Sequence, residues 1–103
     1  MLQLWQRRLG LEDYAIETEQ VSIFQVSDDF CSVGNSFVGV SADHHARRAV
    51  IYHTRQLRQE DIVHELLHVR YPSWSEGDIN RETGELLRSR PAVCQLLTTY
   101  KTL

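Results

Sequence analysis

The apolar positions change period along the chain. Leu2, Trp5 and Leu9, with Leu4 beside them, recur at helical spacing and Gly10 follows as a C-terminal cap, which predicts a short first helix over Leu2–Leu11 packed on a sheet. From Tyr14 to Val26 the spacing shortens: Tyr14, Ile16, Val21, Ile23 and Phe24 alternate with polar residues, the pattern of strands buried on one side. Ser27-Asp28-Asp29 and then Gly34-Asn35 punctuate the chain, and Ser36–Ser41 reads as another short strand. Ala42–Arg48 is polar and reads as a loop or hairpin connection. Ala49–His53, rich in β-branched and aromatic residues, reads as an interior strand.

Two helices follow. In the first, Ile62, Val63, Leu66, Leu67 and Val69 fill a broad apolar arc, and His64, Glu65 and His68 share the narrow remainder. Gln59, Glu60 and Asp61 occupy its first turn, where acidic groups complement the helix dipole, and Pro72 stops it after Tyr71. Ser75 is a good N-cap for the second helix, with Asp78 placed to reach back as an imperfect capping box. Ile79, Thr83, Leu86 and Leu87 share one face, with Glu76 at its edge; Pro91 marks the end, and Ala92–Leu103 forms a last short helix or tail. The order of elements is that of an α+β fold with a mixed sheet of about three to four strands.

The polar stripe carries the chemistry. Histidines four apart on a helix project from one face, close enough to hold one metal ion, and the glutamate between them stands beside the open coordination position. His64-Glu65-Leu66-Leu67-His68 therefore points to a zinc hydrolase, with His64 and His68 as ligands and Glu65 as the general base. A catalytic zinc needs a third protein ligand. Glu76, Asp78, Glu82 and Glu85 are the acidic candidates in the following helix; Glu76 lies nearest the inward face, and Glu82 is its rival. An oxyanion-stabilising donor is also expected, from Tyr71, His53 or Tyr100. His44 and His45 are weaker candidates for metal, since adjacent side chains in a loop seldom converge on one ion.

His64-Glu65-Leu66-Leu67-His68, followed closely by residues 76–87, resembles the gluzincin metallopeptidases in their smallest single-domain form, the minigluzincins. It is also similar to the ImmA/IrrE-type zincins, whose order of glutamate, asparagine, paired leucines and proline is matched by Glu76, Asn80, Leu86, Leu87 and Pro91. Ile79 departs from the small residue usual there. Trp74 stands where SprT-like zincins would offer a third histidine, which favours a glutamate instead. The resemblance spans Asp61–Pro91. It implies a zincin-like domain, with the motif helix along a cleft and an edge strand, Ser36–Val40, pairing with an extended peptide.

Length and charge narrow the rest. The 103 residues leave room for one domain, 1–103, and the 42% hydrophobic and 24% charged content is that of a globular protein. A net charge of -3 disfavours a nucleic-acid partner. No apolar run is long enough for a bilayer, and Met1–Arg8 lacks the regions of a signal peptide, so a cytoplasmic location is expected. Cys31 and Cys94 lack CxxC spacing and read as free thiols. The expected substrate is a peptide or protein bound in extended form to a monomer or weak dimer. The competing readings are a metal-holding regulatory module that cuts little, and a latent peptidase blocked by Pro91–Leu103.

Overall fold

The first helix ends sooner than its apolar spacing suggests: in the computed structural model it is α1, Leu2–Arg8. The structure describes residues 1–22 and 36–89, and the chain divides into two compact units, Met1–Ser73 and Trp74–Leu103. Gly10 takes the capping role expected of it. It adopts φ +72°, its N–H donates to the Arg7 carbonyl at 3.2 Å, and the Leu11 N–H donates to the Gln6 carbonyl at 2.8 Å. These two bonds are the paired closure of a Schellman cap, which reverses the chain. The reversal returns Leu11 to the interior, where Trp5 is also buried. The Gln6 amide then holds the returning chain, donating to the carbonyls of Leu11 and Tyr14 at 3.3 and 3.1 Å.

Among the described residues three strands form the sheet of the first unit: β1 (Ala15–Gln20), β2 (Val38–Asp43) and β3 (Arg48–His53), in the order β1-β3-β2. β3 is the interior strand, parallel to β1 with Ile16 beside Ala49, and antiparallel to β2 with Val40 beside Ile51. Ala49 and Ile51 project to one face and are buried at 3% and 0% exposure. β1 is less covered than its alternation suggested. Only Ile16 is half-buried, and Thr18 and Gln20 on its face are exposed, as suits an edge strand. β2 starts two residues later than expected and runs on through Ala42 and Asp43, because these pair with Ala49 and Arg48 across a hairpin. His44–Arg47 close that hairpin. Asp43 Oδ1 accepts from the Ala46 N–H at 3.0 Å, and Arg47, at φ 57°, pairs its guanidinium with Asp13.

The motif helix is α2, Gln59–Arg70. Ile62, Val63, Leu66, Leu67 and Val69 are all buried, the last four at 2% exposure or less. Burying each such side chain is worth about 1.5–3 kcal/mol. α2 packs against β2, and α1 packs on α2 rather than being only a cover for the sheet, which brings Trp5 into the core. The helix start is held by Asp61, whose carboxylate accepts from the Arg58 backbone N–H at 2.8 Å and from the Arg55 guanidinium through two bonds of 2.6 and 2.8 Å. Tyr71 leaves the helical region at φ -128°, ψ 71°, as expected of a residue before proline.

In the second unit, α3 spans Glu76–Ser89. Ser75 caps it, accepting from the Asp78 N–H at 3.1 Å. Asp78 is held below the usual carboxylate range chiefly by Arg81, whose guanidinium donates to it at 2.6 Å, and next by the Ser75 hydroxyl. Ile79 and Thr83 are buried, with the Thr83 hydroxyl donating to the Ile79 carbonyl at 2.7 Å, and Leu86 and Leu87 are half-buried. Ile23, Phe24, the Gly34-Asn35 turn, Cys31, Cys94, Pro91, Tyr100 and the terminal segment Ala92–Leu103 lie outside the described residues. Among the described residues the fold is thus α+β, with three helices and a three-stranded mixed sheet, and no helix is long and apolar enough to cross a membrane.

Two stability measurements follow from these bonds. Gly10→Ala should lower unfolding free energy by about 1 kcal/mol, because a β-carbon disfavours the left-handed conformation; urea unfolding reads it. The Asp61 carboxyl is held below its ordinary value first by the Arg55 hydrogen bonds and then by the Arg58 N–H. This stabilisation is therefore complete above about pH 4 and is lost as pH falls through the lowered value. Asp61→Asn should cost about 1–3 kcal/mol at pH 7 and flatten the acid side of the stability curve below about pH 4. A curve with unchanged acid slope would show that the pair does not govern it.

Candidate metal centre

α2 places the motif residues by its period alone. His64 and His68, four apart, are both half-buried, and their Nε2 atoms lie 3.2 Å from each other with ring centroids 4.9 Å apart at 68°. Two metal–nitrogen bonds of about 2.0–2.1 Å at a tetrahedral angle set their nitrogens about 3.3 Å apart, so the pair fits one tetrahedral ion such as zinc. The same spacing also suits an N–H···N hydrogen bond between a protonated and an unprotonated ring nitrogen. The backbone makes either arrangement without distortion, since both rings leave one helix face.

Glu65 is more enclosed than a stripe shared with the histidines suggested. It is only 6% exposed, because its position borders the arc of Ile62 and Val69. Carboxylates are rarely so buried without a functional or structural demand. Its placement between the two imidazoles in sequence is the one the motif requires of a general base.

The remaining candidates separate on their local bonds. Glu76 is the first residue of α3 and exposed, and Glu82, six residues on, is half-buried. Asp78 and Glu85 are engaged by Arg81 and Arg88 at 2.6 and 2.9 Å. His44 is drawn to Tyr14 instead of to a metal: the Tyr14 hydroxyl and His44 Nδ1 are 2.8 Å apart, with the rings edge to face. Among the described residues, neither His44 nor His45 belongs to a group that could hold an ion.

Of the expected oxyanion donors, Tyr71 is half-buried at the end of α2, with the Arg70 guanidinium 4.9 Å from its ring centroid. His53 is committed elsewhere. Its Nδ1 is 2.8 Å from the Arg55 carbonyl, which can only accept, so Nδ1 carries the proton. A neutral His53 ring then offers Nε2 as an acceptor and cannot donate to an oxyanion. Sequence reasoning missed this, and it missed Arg55 altogether; an arginine six residues before an aspartate in a helix's first turn was the signal available.

The chain matches no family model, no curated protein and no solved structure.

The tautomer can be read directly. A long-range 15N–1H spectrum near neutral pH should show His53 as the Nδ1–H form; the Nε2–H form would return it to the set of possible donors.

Proposed function

We propose that the chain is a zinc-dependent metallopeptidase of the minimal gluzincin kind, with His64, His68 and Glu76 as ligands and Glu65 as general base. The observation that carries the reading is the 3.2 Å approach of the two Nε2 atoms on a helix whose intervening glutamate is drawn into the interior. Glu76 is the third ligand that the order of residues after the motif suggests, with Glu82 as its rival. The engagement of Asp78 and Glu85 by neighbouring arginines removes the other two candidates.

Zinc held there would polarise a substrate carbonyl and acidify a water molecule. Glu65 takes the proton from the attacking water and returns it to the leaving amine nitrogen, so one carboxylate serves as base and then as acid. Among the described residues Tyr71 is the candidate donor for the developing oxyanion when the His53 ring is neutral. β2 has no further strand beside it among the described residues, and its backbone groups suit an extended peptide or protein segment.

Elemental analysis of untagged protein should find about one zinc per chain, lost in His64→Ala and weakened in Glu76→Gln but not in Glu82→Gln. Glu65→Gln should retain the metal and lose about 10²–10⁴-fold in peptide cleavage, the span of general base catalysis. A wild type that takes up no zinc, or full cleavage by Glu65→Gln, would sink the proposal. Zinc without cleavage of any peptide in a broad library would favour the metal-holding regulatory module.

A further inference from the structure

A cleft of about 250 Å³ opens in the first unit where three segments meet: the turn between α1 and β1, the hairpin between β2 and β3, and the last turn of α2. Leu11 and Val69, each 2% exposed, line it with apolar surface. The charged groups around it are Arg47, Arg70 and Asp13, with His44 and Tyr14 beside them. Two guanidinium groups against one carboxylate leave a local positive excess, on a chain whose net charge is -3. Charge of one sign gathered over a low-dielectric wall focuses the field and draws ions of the opposite sign.

The two arginines are held differently. Arg47 pairs with Asp13, and its backbone sits at φ 57° with its carbonyl accepting from the Ala15 N–H at 2.9 Å. That left-handed conformation suits glycine or asparagine better, so the hairpin itself does not call for an arginine there. The exposed ion pair returns little stability in exchange. Arg70 makes no ion pair among the described residues. Its guanidinium lies 4.9 Å from the centroid of the Tyr71 ring, a contact that orients the group and leaves its charge uncompensated. Its Nε lies 3.8 Å from where a β-carbon on Gly10 would stand, which sets the side chain along the reversed turn.

His44 supplies a further donor. Its Nδ1 is 2.8 Å from the Tyr14 hydroxyl. With that hydroxyl donating, Nε2 carries the ring proton; with the ring protonated, both nitrogens carry one. The cleft is also separate from the candidate metal centre. Arg70 follows His68 by two residues, about 200° around the helix, and so faces away from the imidazoles.

We infer that this cleft is a binding site for a phosphate group, free or carried on a small ester. Donors set on separate segments suit a tetrahedral oxyanion, which accepts from several directions, better than a carboxylate, whose acceptor sites lie in one plane. The arginine fork matches phosphate oxygens in pairs. The volume falls below the about 300–1,000 Å³ of pockets that enclose drug-sized ligands, so any organic part of the ester is small.

The full chain, labelled with 15N, is titrated with inorganic phosphate at constant ionic strength and followed by its amide shifts. Saturating shifts are expected at Gly10, His44, Arg47 and Arg70. Arg70→Gln should raise the Kd about tenfold, the loss of one charge-assisted bond. Arg47→Asn, which keeps a residue tolerant of the left-handed turn, should also weaken binding. Phosphoserine binding more tightly than phosphate would identify the ligand as an ester, and the reverse order as the free ion; both support the inference. Shifts that grow without saturating, acetate binding as tightly as phosphate, or saturating shifts confined to residues 64–68 overturn it, and these wild-type results decide the matter even if a variant does not fold. Unchanged affinity in a folded Arg70→Gln protein overturns it as well.

Discussion

A helix that is apolar around most of its circumference has to be covered from more than one side, and α2 imposes that demand on everything near it. Ile62, Val63, Leu66, Leu67 and Val69 cannot be buried by one flat surface. Within the first unit the demand is met by β2 and by α1. The Schellman cap at Gly10 serves the same end, since without the reversal Leu11 would continue away from the core that it helps to fill. Only a stripe too narrow for apolar contact is left for polar residues. That stripe holds both imidazoles, Glu65 and Asp61.

How much of this was legible follows from the range of each interaction. The motif helix, its first turn, its stop at Pro72 and the Ser75 cap depend on neighbours within a few residues, and the sequence shows all of them. The interior strand Ala49–His53 was legible because its composition suits burial on a pleated surface. The coverage of β1 was not: alternation in Tyr14 and Ile16 says which residues share a face, but not that Thr18 and Gln20 lie at an edge and stay exposed. The end of β2 was hidden because Ala42 and Asp43 are polar or small, and only their pairing with Ala49 and Arg48 makes them a strand.

The candidate site divides in the same way. His64 and His68 face each other because of helical period alone, a local fact. Arg55, His53 and Ser36 enter the description through side-chain bonds whose partners are set by the fold, and no spacing rule reveals them. Asp61 sits between the two cases: its place in the first turn was readable as a complement to the dipole, while the guanidinium that engages it was not. The acidic candidates of α3 separate by the same logic, since Arg81 three residues after Asp78 and Arg88 three after Glu85 form short-range pairs.

The strand order bears on how the molecule comes together. β2, β3 and α2 are consecutive, and their hairpin closes over four residues, His44–Arg47, at little entropic expense. β1 instead meets β3 from 33 residues away, Ala15 beside Arg48 (48 minus 15), and as a parallel neighbour it cannot form by zipping from a turn. Contact range therefore sets the hairpin and its helix, which close locally, apart from β1, whose pairing closes a long loop. Local opening follows contact range in many proteins, and the long-range pairing of β1 sets it apart from the hairpin in that respect. His64 and His68 thus lie in the part of the first unit that is built from consecutive elements.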